Sequence, residues 1–293
     1  MASTIPGMLA CAALLALLQM PPIPQGRLVC EVPARKILLS ELGLPEGSRP
    51  RDVALTKSTI WLLFEPALLV GLPRQSAELD EVEMVYGARG DVWETLSVSP
   101  RDGSLWMASS TAPRLWHMPA LGRVRPVRVP EAKEGGFRGL AVRWDGIYVA
   151  PSACNGNSVW RVDPSGKLLG TALPQPSCPP VDLETDWSGR TWAFLPESGE
   201  TFLLGSGDRW APSGSPTSWP ERAGPFRGRF FWGEEAVGMG GEEETVLVRG
   251  AEPFREDCGA GNRLLRVAGD ARGWAALTRE WLLLGEHAVE SPK

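Results

Sequence analysis

The stretch Leu140-Ala-Val-Arg-Trp-Asp-Gly-Ile-Tyr-Val-Ala150 joins two short apolar segments through a tight Asp-Gly turn. Its first segment opens apolar-small-apolar, and its second carries an aromatic, Tyr148. Weaker copies recur: Val53-Ala-Leu with Trp61, Leu96-Ser-Val with Trp106, Leu183-Glu-Thr with Trp192, and Leu265-Arg-Val with Trp274. A degraded copy stands at Gly228-Arg-Phe-Phe-Trp232. The aromatics at 61, 106, 148, 192, 232 and 274 are spaced by steps of 40 to 45 residues.

A period of that length, built only of short strands and turns, is the pattern of β-propeller blades. No helical period interrupts it. Six copies fill most of a 293-residue chain. The expectation is therefore an all-β, six-bladed propeller folding as one domain over residues 26–293. Within a blade, the inner strand feeds a turn such as Asp102-Gly103 or Asp145-Gly146, as hairpins favour. The second-strand aromatic is expected to fill the wedge between neighbouring blades. Third strands are expected near 67–70, 114–116, 159–162, 201–204 and 245–248, and outer ones at 83–86, 124–129 and 167–173. Pro126 suits an outer strand, where a missing N–H is tolerated.

Two stretches decide the count. The last copy shows three strands, ending at Trp281–Leu284, with little chain left for a fourth. Lys36-Ile-Leu-Leu-Ser-Glu-Leu-Gly-Leu44 precedes the first copy and reads as a strand. Residues 36–44 are thus expected to complete the last blade and close the ring, removing an open edge. The Pro/Ser/Gly-rich stretch between 205 and 228 reads either as a long loop or as decayed strands. The second reading would admit five or seven blades.

Met8–Leu18 is an uncharged apolar run of eleven residues, too short for the ~30 Å hydrocarbon layer. It matches the apolar core of a secretory signal, although no Lys or Arg precedes it and no A-x-A site follows. Residues 1–25 are therefore read as signal peptide and linker. The expected location is secreted or periplasmic, with no membrane span once the signal is removed. A net charge of −5 leaves no basic footprint for nucleic acid.

The pattern of apolar strand, Asp-Gly turn, Ile-Tyr-Val strand and then Val159-Trp-Arg-Val-Asp-Pro-Ser-Gly-Lys167 resembles the NHL-repeat and gluconolactonase-like group of propellers. Residues Leu140 to Leu169 carry the likeness best. That resemblance implies a propeller of six blades and, in the gluconolactonase-like enzymes, a divalent metal held by one Glu, two Asn and one Asp. This chain has three Asn, and Asn155 and Asn157 share one hairpin loop. The family's ligand set cannot be placed on it, and none is carried over.

In a propeller, the residues just before each inner strand ring the channel at one face. Two positions before each motif stand Arg51, Glu94, Arg138, Val181 and Arg263, and one position before stand Asp52, Thr95, Gly139, Asp182 and Leu264. From these, Arg51, Asp52, Glu94, Arg138, Asp182 and Arg263 form the candidate ligand-binding ring. Guanidinium forks there suit an anionic group; alternatively the charges pair with each other and seal the channel. Glu234-Glu235 and Glu242–Glu244 flank Gly238-Met-Gly-Gly241 and read as a solvated loop, since calcium-loop spacing is absent. Asn155-Gly156 reads as a hairpin turn.

Catalytic signals are sparse. The two histidines, His117 and His287, fall toward the outside of the ring. No nucleophile elbow, zincin helix, Cys-x-x-Cys pair or phosphate loop occurs. Removing the signal leaves Cys30, Cys154, Cys178 and Cys258. Cys154, in the second-to-third-strand loop of the third blade, and Cys178, in the link to the fourth, fall on one face and are expected to pair, closing a loop of about 24 residues worth roughly 3 kcal/mol. Cys30 with Cys258 would brace the ring closure. The reading that results is an exported binding or scaffold propeller without a cofactor, recognising a protein or a small anionic ligand at the ringed face. Trp93, Trp210 and Trp219 serve either that surface or inter-blade packing. The alternative is a metal-dependent hydrolase of lactones or esters, with Asp52, Glu94 and Asp182 as ligands and calcium as a candidate ion.

Overall fold

The structure, a computed structural model, describes residues 35–74, 82–119, 123–132, 135–152, 159–172, 182–185, 191–194, 201–204, 210–213, 229–232, 236–240, 245–249, 252–253, 264–270 and 273–286. Apart from one 3-10 turn, the regular structure of these residues is entirely β. Six four-stranded antiparallel sheets result.

Strands β2 (Arg49–Leu55), β3 (Thr59–Glu65), β4 (Leu68–Pro73) and β5 (Glu83–Tyr86) make the first sheet in sequence order. The second holds β6 (Trp93–Val98), β7 (Leu105–Ser109), β8 (Arg114–Met118) and β9 (Arg125–Arg128). The third holds β10 (Phe137–Arg143), β11 (Gly146–Pro151), β12 (Val159–Val162) and β13 (Leu168–Ala172). The fourth holds β14 (Asp182–Thr185), β15 (Thr191–Phe194), β16 (Thr201–Leu204) and β17 (Trp210–Ser213). The fifth holds β18 (Arg229–Trp232), β19 (Ala236–Gly240), β20 (Thr245–Arg249) and β21 (Glu252–Pro253).

The sixth sheet has the order β1-β24-β23-β22, formed by β22 (Leu264–Asp270), β23 (Gly273–Thr278), β24 (Trp281–Glu286) and β1 (Arg35–Leu38). The strand that precedes the first motif therefore closes the last blade, with Lys36 opposite Leu283 and Ile37 opposite Leu282. It is shorter than expected. Leu39–Leu42 turn into a 3-10 helix that ends at Gly43 in the left-handed region, φ 64°. Leu39 and Leu42 are both buried, and their spacing of three matches a 3-10 period, which a strand would send to opposite faces.

Each inner strand lies against the next around the ring, and β22 returns to β2. Packing between sheets follows from strand alternation. On β3, Ile60, Leu62 and Phe64 join a cluster with Ala275, Leu277 and Leu282 of the sixth sheet. Trp61 and Leu63 face the other way, toward Leu96, Met107 and Trp116 of the second sheet. A strand covered on both faces reads as one unbroken apolar run. Trp106 likewise packs against the third sheet, and Tyr148 against the fourth. The register shows why a small residue sits in the motif: Ala54 is opposite Trp61, Ser97 opposite Trp106, and Ala141 opposite Tyr148.

Two details correct the sequence reading. Trp232 ends the inner strand β18 and pairs with Ala236, so the fifth repeat has no aromatic at the usual second-strand place. Gly238 to Gly240 lie in β19 and not in a loop. Of the 205–228 stretch, Trp210–Ser213 supply the outer strand of the fourth sheet, and 214–228 fall outside the described residues. So do 1–34 and with them the proposed signal segment, as well as Cys154, Cys178 and Cys258.

Candidate functional site: the bulged end of the inner strands

Four inner strands start on the same irregularity. The pairing skips one residue between Pro50 and Asp52, between Trp93 and Thr95, between Phe137 and Gly139, and between Leu264 and Arg266. The skipped residues are Arg51, Glu94, Arg138 and Leu265. A bulge leaves its extra residue outside the ladder and re-aims its side chain. Three of the six expected ring residues thus share one structural position at one end of the inner strands.

In the sixth sheet the expected alignment is off by two residues. The register matches Val267-Ala-Gly, and not Leu265-Arg-Val, to Val53-Ala-Leu, because Arg266 pairs with Leu277 as Asp52 pairs with Leu63. A shift of two keeps every side chain on its original face, so alternation alone does not detect it. Leu265 consequently stands at the bulge in place of Arg263, which lies outside the described residues. Asp182 opens β14 opposite Phe194, one place before Leu183, as Asp52 stands one place before Val53.

Arg266, missed from sequence, is the partner that organises Asp52. Asp52 is buried, and its Oδ1 accepts from the Val53 N–H at 2.8 Å. Oδ2 accepts from the Leu96 N–H at 2.8 Å and from the Thr95 hydroxyl at 3.0 Å. Arg266 Nε closes the set as an ion pair 3.6 Å from Oδ1. One carboxylate therefore ties together the inner strands of the sixth, first and second sheets. Burial pushes its carboxyl above the usual range, while Arg266 and the donors from Leu96, Val53 and Thr95 pull the other way. A charged residue inside the otherwise apolar Leu264–Gly269 run was the signal available for Arg266, since a guanidinium largely withdrawn from water demands a counter-charge.

The bulge residues differ from one another. Arg51 forms an ion pair with Glu65, at the end of β3. Glu94 is half-buried. Arg138 is exposed. Nearby, Asp91 in the link from β5 to β6 is a second buried carboxylate. Its Oδ1 accepts from Arg114 Nε at 3.1 Å and from the Ser109 hydroxyl at 3.3 Å, fastening the link to the second sheet. Trp93 is fully buried against Trp116 at a centroid distance of 5.7 Å, so it packs the core and does not serve a surface. Among the described residues, no three His, Cys, Asp or Glu side chains gather closely enough to hold a metal.

No protein-family model and no curated protein matches the chain. Solved structures do. YCF48 bound to D1 peptide is similar with a TM-score of 0.63 at 14% identity, over 90% of this chain and 100% of that one. Virginiamycin B lyase from Staphylococcus aureus gives 0.57 at 13% identity, over 89% of each chain. The WD40 propeller domain of Doa1 gives 0.53 at 8% identity, over 83% of this chain and 95% of that one. All three likenesses are of fold and not of sequence, and together with the ring of antiparallel sheets they make this chain a β-propeller.

Proposed function

We propose that the chain is an exported propeller that acts as a binding module, taking an anionic group of a protein partner or small ligand at the bulged end of the channel. The observation that carries this reading is Arg138. It stands exposed on a bulge, where its guanidinium keeps five N–H donors in a fork suited to carboxylate or phosphate. The similar structure of YCF48 bound to D1 peptide supports a binding role for the fold.

The hydrolase reading asks Asp52 to ligate a metal. Four donors already surround its two oxygens, and Asp52 is therefore better read as a clasp than as a ligand. The two readings separate experimentally. Thermal shifts would be measured with a panel of di- and tricarboxylates and phosphates, since a ligand of the folded state raises Tm by mass action. Stabilisation by at least one anion, lost in Arg138→Glu, is the expected result. Stoichiometric calcium or zinc in protein purified without chelator would favour the hydrolase. Export is tested by the N-terminus of the mature protein, and the Cys154–Cys178 bond by thiol labelling of unreduced, denatured chain.

A further inference from the structure

The far end of the same inner strand carries a second feature. Arg138 stands near the start of β10, and Trp144 follows its last residue. At ~3.3 Å per residue these sites lie on opposite ends of the channel, about 20 Å apart. Trp144 is 61% exposed, and it occupies a two-residue hairpin turn with Asp145, between the paired Arg143 and Gly146. Such turns favour Asn, Asp and Gly. Asp145 satisfies that preference, but turn chemistry gives no reason for an indole.

The turn is braced from three sides. Arg101, from the hairpin turn of the second sheet, donates to the Trp144 carbonyl. Asp145 forms an ion pair with Arg143 Nε at 3.2 Å and accepts from the Tyr148 hydroxyl at 3.1 Å. Arg143 in turn lies 5.6 Å over the Tyr148 ring and donates to the Leu204 carbonyl of the fourth sheet. A flat aromatic on a backbone already held in place loses little freedom when something docks on it.

The charge beside it is also defined. Asp145 is engaged as above, and Asp102 accepts from the Ser104 hydroxyl at 2.7 Å and the Ser104 N–H at 3.0 Å. Arg101 is exposed and commits one guanidinium nitrogen to Trp144, leaving most of its five donors uncommitted among the described residues. An exposed indole flanked by an available guanidinium is the composition of a protein-binding hot spot.

We propose that this end of the channel is a second docking surface, where Trp144 and Arg101 receive an acidic protein segment that lays an apolar side chain on the indole. The cation selects the acidic residue, and the indole supplies apolar area next to it. This surface is separate from the arginine ring and does not depend on it.

The test is a random peptide library displayed on phage and panned against the immobilised full chain. Recovered sequences should place Asp or Glu beside an aromatic or branched aliphatic residue. A synthetic copy should bind with an affinity that falls as salt rises. It should lose about thirtyfold on Trp144→Ala, the scale of a hot spot, and bind Arg138→Glu unchanged. Trp144→Asn, which suits the turn, serves as a second variant with an unaltered fold. The proposal is overturned if no binder is recovered, if the binders are indifferent to both Trp144 variants, or if they are lost on Arg138→Glu. Trp144-dependent binding of neutral oligosaccharides without any acidic peptide would overturn it as well.

Discussion

At the level of single residues, Asp52 and Arg266 show how a buried charge pair is distinguished from a site. Their contacts span three inner strands and leave Asp52 with no oxygen free of a donor. Asp52→Ala would break the ion pair with the largely buried Arg266 and leave the Leu96 N–H and Thr95 hydroxyl without their acceptor, an expected loss of ~3–5 kcal/mol in urea denaturation. Changing both residues to apolar ones of similar volume should recover part of that loss, which a double-mutant cycle measures. His117 offers a second test. Its ring stacks on Trp106 at 4.2 Å and accepts from Arg125 at 3.3 Å. Burial, then Arg125, hold its pKa below 6.5, with Asp102 opposing. The unfolded chain therefore takes up the proton first, so this contribution is complete above pH 6.5 and is lost as pH falls below it. His117→Phe should flatten the decline of Tm on the acid side of that point. Offsets within the repeat did find Arg51, Glu94 and Arg138, because each precedes a motif whose alternation is intact. They missed Arg266, because a strand of alternating apolar residues looks the same after a shift of two.

At the level of strands, the legible elements were those whose two faces are both covered. The Ile60–Phe64 run needs apolar residues at every position, as it packs on the sixth sheet by one face and on the second by the other. The fifth repeat was harder to place, since its aromatics moved to the inner strand as Phe230, Phe231 and Trp232. Partners of the wedge aromatics were not legible at all. Trp61 lies over Gly71, its neighbour across the β3–β4 ladder. A Cβ at Gly71 would stand 2.6 Å from the Trp61 ring. Gly71→Ala is thus an overpacking substitution, expected to cost ~1–3 kcal/mol. Replacing Trp61 by Leu in the same chain should return part of it, and thermal denaturation of the two variants checks the pair.

At the level of the whole molecule, the ring is held shut by pairing between the first and the last of the described strands. Lys36 pairs with Leu283 and Ile37 with Leu282, so the closing contact joins residues at the two ends of the described sheets, far apart in sequence. Contacts of such sequence separation carry a high loop-closure cost and are favoured to form late. The buried Ile37, with Leu39 and Leu42, then joins the cluster that Leu62, Phe64 and Leu277 build between the first and sixth sheets. Ile37→Ala removes buried side-chain volume there, with an expected cost of ~2–5 kcal/mol. With closure expected late, the loss should fall on the unfolding rate and leave the refolding rate nearly unchanged. Leu62→Ala touches the same cluster from the first sheet, whose strands are contiguous in sequence, and should slow refolding measurably. Stopped-flow refolding and unfolding of both variants distinguishes the two effects. Equal slowing of refolding by Ile37→Ala would show that the ends of the chain meet early, and that closure directs assembly instead of completing it.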